Sequence, residues 1–384
     1  MNDRHQLSLG YVGHASFPRK NANCLQILQM CEAFTHAGCH TTLTVPDILT
    51  TREEIAAKYH LREFNDIIAI TPGKVVSGRC IYQLKAVSAL KRKRKNVLCT
   101  RDGYTFFWSI LLGMPSFWEI HDLGTSINSN FWPIVKRLFG WRSFGGIITI
   151  SHALEKMLVD KGGVHKEKIL VAHDAAELDL FKTADSYDPT ALKLDAGYKA
   201  DDYLAVYTGK FEDCRGIKDI FYAAGNLPDM KFLMIGAKSE DFIKYRREID
   251  ELGNLKVMGF IDHVDIPKYL RMADVLMSPY RSDTPTIEFC SSLKIPEYMA
   301  MRKPIVLSDF PVFREVLEPG RDCLYFRKDD PDAFVAALRK LKESPGFART
   351  LADNAFKRAE GLSWDNRANN ILNFIEEQIR RKKR

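Results

Sequence analysis

The sequence lacks the cysteine patterns, long apolar runs and targeting signals that mark several classes of protein. Its 8 cysteines are scattered and contain no C-x-x-C pair, which argues against a zinc site and a disulfide framework. The longest apolar run, at residues 105–118, is interrupted by Gly113 and Pro115 and is too short to span a bilayer. The first residues are polar and do not resemble a signal peptide. These absences predict a soluble, cytoplasmic protein.

Signatures of common cofactors are also missing. The apolar residues 7–12 are not followed by a G-x-G-x-x-G fingerprint, since only Gly10 and Gly13 occur there. This argues against a nicotinamide- or flavin-dependent dehydrogenase. No Asp and His residues cluster with the spacing of metal ligands. We therefore expect no cofactor and no metal requirement.

What the sequence contains is an alternation of apolar strands and amphipathic helices that runs through the chain twice. The 384 residues are 46% hydrophobic, enough for two domains with separate cores. The first alternation, with strands at 40–45 and 116–120 among its elements, predicts a domain over residues 1–182, and the polar stretch 183–202 predicts a linker. The second, which includes a helix at 240–252 and a strand at 275–278, predicts a domain over 203–362. A final helix at 364–384 has an apolar stripe that must pack on one of the domains. The favoured fold class is α/β, with two Rossmann-like parallel-sheet domains.

The formal charge of +7 is concentrated in two basic runs, at residues 91–95 and 380–384. Such runs are usually solvated surface, but they also suit an anionic membrane or a nucleic acid. The apolar residues Phe131, Trp132, Leu138, Phe139 and Trp141 could join them in holding the protein at the inner face of a membrane. Most of these aromatic residues could equally belong to the core. Aromatic residues are not interleaved with the basic runs, so we do not expect nucleic-acid binding.

The residues that carry chemistry follow predicted strands of the second half. Gly209 and Lys210 follow the strand at 203–208, and Arg215 starts the next helix. Lys294 and Glu297 open a short helix further on. Cations and a helix start at the carboxyl edge of a parallel sheet suit a diphosphate, and Glu297 could accept hydrogen bonds from a ribose diol. An exposed basic turn and a Glu that complements the helix dipole are the alternatives.

The order of motifs resembles the retaining family-4 glycosyltransferases over nearly the whole chain. The matching stretches in the first half are residues 118–122, 148–151 and 171–181. Those in the second half are Tyr-Thr-Gly-Lys at 207–210, Arg-Gly at 215–216, residues 257–260, 266–270 and 273–275, and Leu-Lys-Ile-Pro-Glu-Tyr-Met-Ala at 293–300. The resemblance implies the GT-B fold, in which two Rossmann-like domains face each other and the C-terminal helix crosses back to the first domain.

The resemblance also implies roles for individual residues. It assigns His121, Lys210 and Arg215 to catalysis, with His121 near the sugar and the two cations on the donor diphosphate. The residues it assigns to donor binding are Gly209, Gly259, Phe260, Ser292, Leu293, Lys294 and Glu297.

Two departures from the family pattern affect the substrate contacts. Many members carry a second glutamate eight positions before the ribose-binding one, where this chain has Phe289; Asp283 or Glu288 could contact the sugar instead. The family's glycine-rich first loop is replaced by a loop that contains Arg19, Lys20 and Asn23, which we assign to the acceptor side.

The sequence therefore predicts an enzyme that transfers a hexosyl or N-acetylhexosaminyl group from a UDP-, GDP- or ADP-sugar to a saccharide or lipid-linked acceptor, with retention. Synthesis of a surface polysaccharide or glycolipid is the expected role. A sugar-nucleotide epimerase or phosphorylase on the same fold, or a non-catalytic binding protein, are the alternatives.

Overall fold

A computed structural model describes residues 7–14, 16–18, 22–62, 66–71, 78–122, 126–128 and 132–383. The chain divides into two compact units. One unit comprises Met1–Asp174, Phe289–Ser291 and Trp364–Arg384, and the other comprises Ala175–Glu288 and Ser292–Ser363. The segment 175–202, which includes the predicted linker, therefore groups with the second unit.

The first unit is built on a parallel sheet of seven strands in the order β3-β2-β1-β4-β5-β6-β7. The strands are β1 (Ser8–Val12), β2 (His40–Val45), β3 (Asp66–Ala69), β4 (Val97–Thr100), β5 (Ser116–Ile120), β6 (Phe144–Thr149) and β7 (Ile169–Val171). The central strands β4 and β6 are buried along their whole length. Burial on both faces explains why they appear in the sequence as continuous apolar runs rather than as alternating patterns.

Helices connect the strands of this sheet. They are α1 (Ala22–His36), α2 (Arg52–Tyr59), α3 (Gly78–Arg92), α4 (Gly103–Leu111), α5 (Trp132–Leu138) and α6 (His152–Met157). Side chains cap several of their starts: Asp102 accepts from Thr105 N at 2.7 Å, and Ser151 accepts from Leu154 N at 3.2 Å. Such caps satisfy backbone N–H groups that the helix itself leaves open.

The second unit is built on a parallel sheet of six strands in the order β10-β9-β8-β11-β12-β13. The strands are β8 (Leu204–Thr208), β9 (Lys231–Ala237), β10 (Leu255–Gly259), β11 (Val275–Ser278), β12 (Ile305–Ser308) and β13 (Leu324–Phe326). The helices are α7 (Leu178–Lys182), α8 (Pro189–Asp195), α9 (Ile217–Asn226), α10 (Ser239–Lys244), α11 (Arg246–Glu251), α12 (Ile266–Arg271), α13 (Lys294–Ala300), α14 (Pro311–Arg314), α15 (Pro331–Glu343) and α16 (Pro345–Ala359). Two parallel sheets confirm the predicted fold class.

The last helix, α17 (Trp364–Lys383), belongs to the first unit, where it packs on α1 and β6. Its buried face includes Ile371, Leu372 and Ile375. This confirms the return of the C-terminal helix to the first domain that the family resemblance implied. Within the described part of the chain, no helix combines the length and the apolar character needed to cross a membrane.

Local structure differs from the sequence prediction at three places. The single helix predicted at 240–252 is two helices, α10 and α11, separated at Tyr245, whose buried ring packs on Phe221. The predicted linker contains α8, which is capped by Asp188 and has Pro189 in its first turn. The short strand β13 was not predicted, because three residues are too few for a periodic signal.

Candidate functional site

The order of the strands in the second sheet marks a site at its carboxyl edge. The strand after β8 in the chain, β9, lies on one side of β8 in the sheet, and β11 lies on its other side. The loops that follow β8 and β11 therefore lead away from each other, which leaves a crevice between these two strands. Open parallel sheets bind ligands in the crevice at such a point, outside the carboxyl ends of the strands. Gly209 and Lys210 follow β8 there, and Pro279 and Tyr280 follow β11.

Two glycines let the backbone segments at this edge approach each other closely. Gly216 has φ +77° and Gly236 has φ +118°, in the region that favours glycine. A Cβ atom on Gly216 would lie 1.8 Å from the Pro279 carbonyl oxygen, and one on Gly236 would lie 2.2 Å from that of Gly209. The loop after β8 is therefore held against the end of β9 and against the loop after β11 by backbone contacts that admit no side chain.

Two cations of this edge lie on buried tyrosine rings. The guanidinium carbon of Arg215 is 4.8 Å from the centroid of the Tyr280 ring, and Lys294 Nζ is 5.1 Å from the same centroid. Lys294 Nζ is also 4.2 Å from the centroid of the Tyr207 ring. Cation–π contacts orient these two charges, and Arg215 Nε also pairs with Glu212 Oε2 at 3.4 Å. Arg215 and Lys294 are thus gathered in a form suited to an anionic ligand.

Lys210 contacts the carboxylate of Glu212, which also pairs with Arg215. The Lys210 side chain is 71% exposed, and its Nζ is 3.6 Å from Glu212 Oε1. Lys294 Nζ lies beside the backbone of Gly209, only 2.8 Å from the position that a Cβ atom on this glycine would occupy. The Lys210 carbonyl oxygen accepts a hydrogen bond from the Tyr207 hydroxyl at 2.8 Å, which fixes the backbone of the turn rather than the ammonium group.

Glu297 lies in α13 with its side chain mostly buried and hydrogen-bonded to His263. His263 Nε2 and Glu297 Oε1 are 2.8 Å apart. The imidazole ring also meets Phe181 edge-on at 5.8 Å, and its Nδ1 is buried without a hydrogen-bond partner among the described residues. His263 thereby fixes one oxygen of Glu297 and leaves the other oxygen for a further donor.

The other residues assigned to the donor lie around the same edge. Ser292 Oγ is 3.0 Å from the Tyr280 hydroxyl, and Leu293 directly precedes α13. Gly259 ends β10, and the following Phe260 is 48% exposed. Phe260 lines a cavity of about 580 Å³ together with Asp262, Lys268, Tyr269 and residues of α8 and α12.

Asp283 and Glu288, the two carboxylates considered for the sugar, are both exposed. Phe289, which stands where many family members have glutamate, is buried in an apolar cluster of the first unit that includes Ile127, Trp132 and Ile150. Its carbonyl oxygen accepts a hydrogen bond from Ser151 Oγ at 2.9 Å. An apolar residue at position 289 therefore serves packing.

In the first unit, His121 directly follows β5 and contacts the buried carboxylate of Glu119. His121 Nε2 is 2.8 Å from Glu119 Oε1. The same oxygen accepts hydrogen bonds from Gln26 at 2.7 Å and from Arg367 of α17 at 2.8 Å, while Tyr11 donates to Oε2 at 2.9 Å. Four neighbours thus converge on one carboxylate at the carboxyl edge of the first sheet.

This network sets the charge states of Glu119 and His121. Burial raises the pKa of Glu119, but Arg367, His121 and Arg101 outweigh burial and hold that pKa well below its ordinary value. Burial and the Arg101 guanidinium lower the pKa of His121, against the opposite effect of Glu119. At neutral pH, Glu119 is therefore ionised and the imidazole of His121 is neutral.

The residues assigned to the acceptor are only partly within the described structure. Arg19 and Lys20 lie outside the described residues. Asn23 is half-buried near the start of α1, and its Oδ1 is buried without a hydrogen-bond partner among the described residues. The parts of the chain that the structure describes hold no group of three or more His, Cys, Asp and Glu side chains arranged to bind a metal ion.

Sequence reasoning missed the two tyrosines, His263 and most of the partners of Glu119. Tyr280 is the second residue after β11, so its place after a strand of the same edge was an available signal. Arg367 gave no such signal, because it lies in α17 and meets Glu119 across 248 residues of sequence.

Comparison with known proteins agrees with this geometry. Residues 203–344 match the sequence profile described as "Glycosyl transferases group 1". The phosphatidyl-myo-inositol mannosyltransferase of Mycolicibacterium smegmatis is 24% identical over 185 residues, which are 47% of this chain and 46% of that protein. The chain thus spans about half the length of the named relatives it matches.

Solved structures resemble the whole chain. A glycosyltransferase from Rickettsia africae superimposes with a TM-score of 0.78 at 13% identity, covering 97% of this chain and 98% of its own. Anabaena Alr3699/HepE in complex with UDP gives a TM-score of 0.76 at 15% identity, covering 97% and 100%. At such identities the likeness concerns the fold, and that fold is GT-B. The profile match shows in addition that residues 203–344 are similar to the group 1 glycosyltransferases.

Proposed function

We propose that the protein transfers a sugar from a nucleoside-diphosphate sugar to a hydroxyl acceptor with retention of the anomeric configuration. The observation that carries this proposal is the placement of Arg215 and Lys294 on the Tyr280 ring at the carboxyl edge where β8 and β11 diverge. Glu297 belongs to the helix that Lys294 opens, so a ribose and a diphosphate would find their partners on the same segment.

In this proposal the cations hold the donor diphosphate and stabilise the charge of the leaving group. The bond between the anomeric carbon and the phosphate oxygen breaks as the bond to the acceptor oxygen forms on the same face. The departing phosphate oxygen takes the proton of the acceptor hydroxyl, so the products are the nucleoside diphosphate and the glycoside. Arg215 and Lys294 supply positive charge where negative charge develops, and we propose that turnover needs no metal ion.

Binding of the nucleoside would use the groups beside the cations. We assign the ribose diol to Glu297, whose orientation is fixed by the 2.8 Å hydrogen bond to His263, and the base to Gly259 and Phe260. We assign to His121 a hydrogen bond to a sugar hydroxyl, since its neutral imidazole can donate or accept. Lys210, which is exposed, is assigned to contact the phosphates when the donor is bound.

The acceptor we propose is a saccharide or a lipid-linked saccharide of a surface polysaccharide or glycolipid. The similarity to a phosphatidyl-myo-inositol mannosyltransferase supports an acceptor at a membrane. We therefore propose that the protein associates peripherally with an anionic membrane from the cytoplasmic side.

The test is a transfer assay with UDP-, GDP- and ADP-sugars and a set of hydroxyl acceptors, with the anomeric configuration of the product read by NMR. We expect a product with the configuration of the donor, formed equally well in chelator. Lys294→Met and Arg215→Met should reduce turnover, while Arg246→Met, at an exposed arginine of α11, should not.

An inverted product would refute retention, and activity lost in chelator and restored by Mg²⁺ would refute metal independence. Conversion of the donor without any acceptor would instead favour an epimerase. Consumption that depends on inorganic phosphate would favour a phosphorylase.

A further inference from the structure

Basic residues that are distant in sequence come together at the amino edge of the first sheet. Residues 91–94 directly precede β4, Arg142 precedes β6, and Lys166 and Lys168 precede β7. In a parallel sheet the amino ends of the strands share one edge, and ligands of such folds bind at the opposite edge. The strands β4, β5, β6 and β7 are consecutive neighbours, so these cations lie along one continuous rim.

Hydrogen bonds connect the segments of this rim. Lys91 Nζ donates to the Leu112 carbonyl oxygen at 2.6 Å, which joins the end of α3 to the end of α4. Ser143 Oγ then donates to the Ile110 carbonyl oxygen at 2.9 Å, which joins α4 to the turn before β6. The basic stretch before β4 is therefore continuous with the turn that carries Arg142.

The basic end of α17 joins the same rim from the other side. Lys382 Nζ donates to the Arg142 carbonyl oxygen at 3.0 Å. Lys168 Nζ donates to Gln378 Oε1 at 2.8 Å, one helical turn before Lys382. The two basic runs of the sequence begin at Lys91 and at Arg380, nearly 290 residues apart. In the structure they form one surface, which we call the basic rim.

Acidic residues neutralise only part of the basic rim. Asp66 pairs with Lys93 at 2.7 Å, Glu376 with Arg380 at 3.2 Å and Glu377 with Arg381 at 2.5 Å. Glu167 is exposed between Lys166 and Lys168. By contrast, no ion pair within the described ranges involves the exposed side chains of Lys91, Arg92, Arg94, Arg142 and Lys166.

Crowding of like charges is evident at the meeting point of β7 and α17. Burial and the neighbouring Arg381 lower the pKa of Lys168. Burial and Lys168 lower the pKa of Lys382 to about 8.

Exposed apolar side chains accompany the cations. Leu111, the last residue of α4, is 40% exposed, and Trp141, beside Arg142, is 46% exposed. Of the other apolar residues considered for this surface, Trp132 and Leu138 are buried in the core and Phe139 packs against the same cluster, as the alternative left open by the sequence had it. Phe131 lies outside the described residues.

We infer that the basic rim is the surface by which the protein docks on an anionic phospholipid bilayer. Cations attract the headgroups, while Trp141 and Leu111 enter the interface, where an indole with apolar and polar sides is favoured. Neighbouring apolar and basic side chains suit a bilayer better than a nucleic acid, whose phosphates would leave Leu111 without a partner. The inference rests on the proposed association with a membrane and names its surface.

The experiment is flotation of the full chain with phosphatidylcholine vesicles, with and without phosphatidylglycerol. The test variant combines Arg92→Gln, Arg94→Gln and Arg142→Gln. A matched control combines Arg246→Gln, Arg247→Gln and Arg339→Gln, three exposed arginines of the second unit. Each cation near an anionic surface contributes about 1 kcal/mol to binding, which is about fivefold in affinity. Loss of three cations should therefore make the test variant bind phosphatidylglycerol vesicles about 100-fold more weakly than the control.

A second variant, Trp141→Ala, measures how much insertion of the indole into the membrane interface contributes to binding, without a change of charge. We expect weaker vesicle binding and an unchanged melting temperature, because the side chain is half exposed. Donor affinity is measured in parallel on all variants and should not change, since the basic rim lies at the edge away from the carboxyl ends of the strands.

Flotation of the test variant equal to that of the control would overturn the assignment of this surface. Failure of the wild-type chain to float would overturn membrane association itself while leaving the donor site to be judged by its own assay. Binding of a duplex oligonucleotide in preference to the vesicles would assign the basic rim to nucleic acid and also refute the inference.

Discussion

Tyr280 provides a direct test of how the two cations are held. We predict that Tyr280→Leu weakens binding of a nucleoside diphosphate, because the ring that orients both Arg215 and Lys294 is removed. Each side chain would then have to be ordered on binding, which costs roughly 0.5–1.5 kcal/mol per side chain. Two side chains give a loss of about 1–3 kcal/mol, or about 5- to 150-fold in Kd.

The assay is titration calorimetry with whichever of UDP, GDP and ADP binds the wild-type protein most tightly. Tyr280→Phe keeps the ring and loses the 3.0 Å contact with Ser292 Oγ, so it should bind within about twofold of the wild type. Phe313→Leu is the matched control, because Phe313 is buried 5.4 Å from the Tyr280 ring in the same core.

The reasoning would be refuted if Tyr280→Leu bound the diphosphate with the wild-type Kd. It would also be refuted if Tyr280→Phe or Phe313→Leu lost as much affinity as Tyr280→Leu, since the effect would then come from the hydroxyl or from general loss of packing.

Two further predictions concern backbone and charge. Gly216→Ala should lower the free energy of unfolding by about 2 kcal/mol or more and abolish donor binding. The reason is that Gly216 has φ +77° and that the new Cβ would collide with the Pro279 carbonyl oxygen. Chemical denaturation measures the loss of stability, and an unchanged denaturation midpoint would contradict the prediction. The free energy of unfolding should fall on acidification, because the pKa values of His121 and Glu119 are lower in the folded protein than in the unfolded chain. The unfolded chain therefore binds more protons than the folded protein, below about pH 6.5 at His121 and below about pH 4.5 at Glu119. Denaturation midpoints between pH 7 and pH 4 check this, and Glu119→Gln should flatten the lower part of that dependence; an equally steep fall in the variant would exclude Glu119 as its source.

The sequence was sufficient for the architecture because each strand is a compact apolar run with turn residues on both sides. The strand predicted at 40–45 coincides with β2, and those at 116–120 and 275–278 coincide with β5 and β11. The helix at 240–252 was predicted as one element because its apolar spacing continues through Tyr245. The break is a tertiary effect, since Tyr245 turns into the core against Phe221.

The candidate site was predictable where residues follow strands directly. Gly209 and Lys210 were named from such positions, whereas Arg215 and Lys294 were named from helix starts, and the structure brings these two cations to one ring. Side-chain packing decides the rest: Lys210 points to Glu212, and His263 reaches Glu297 across 34 residues. Neither contact follows from local sequence, because each depends on how separate loops meet at the sheet edge.

The central claim is that the second unit binds a nucleoside-diphosphate sugar through Lys294 and Glu297. The most direct measurement is the melting temperature of the protein across UDP-, GDP-, ADP- and dTDP-sugars, with Lys294→Met, Glu297→Gln and the exposed control Lys238→Met. A ligand at 100 times its Kd stabilises the folded state by about 2.7 kcal/mol. We predict that one donor raises the melting temperature of the wild type and of Lys238→Met but not of the two site variants; no shift with any donor, or equal shifts in all variants, would contradict the claim.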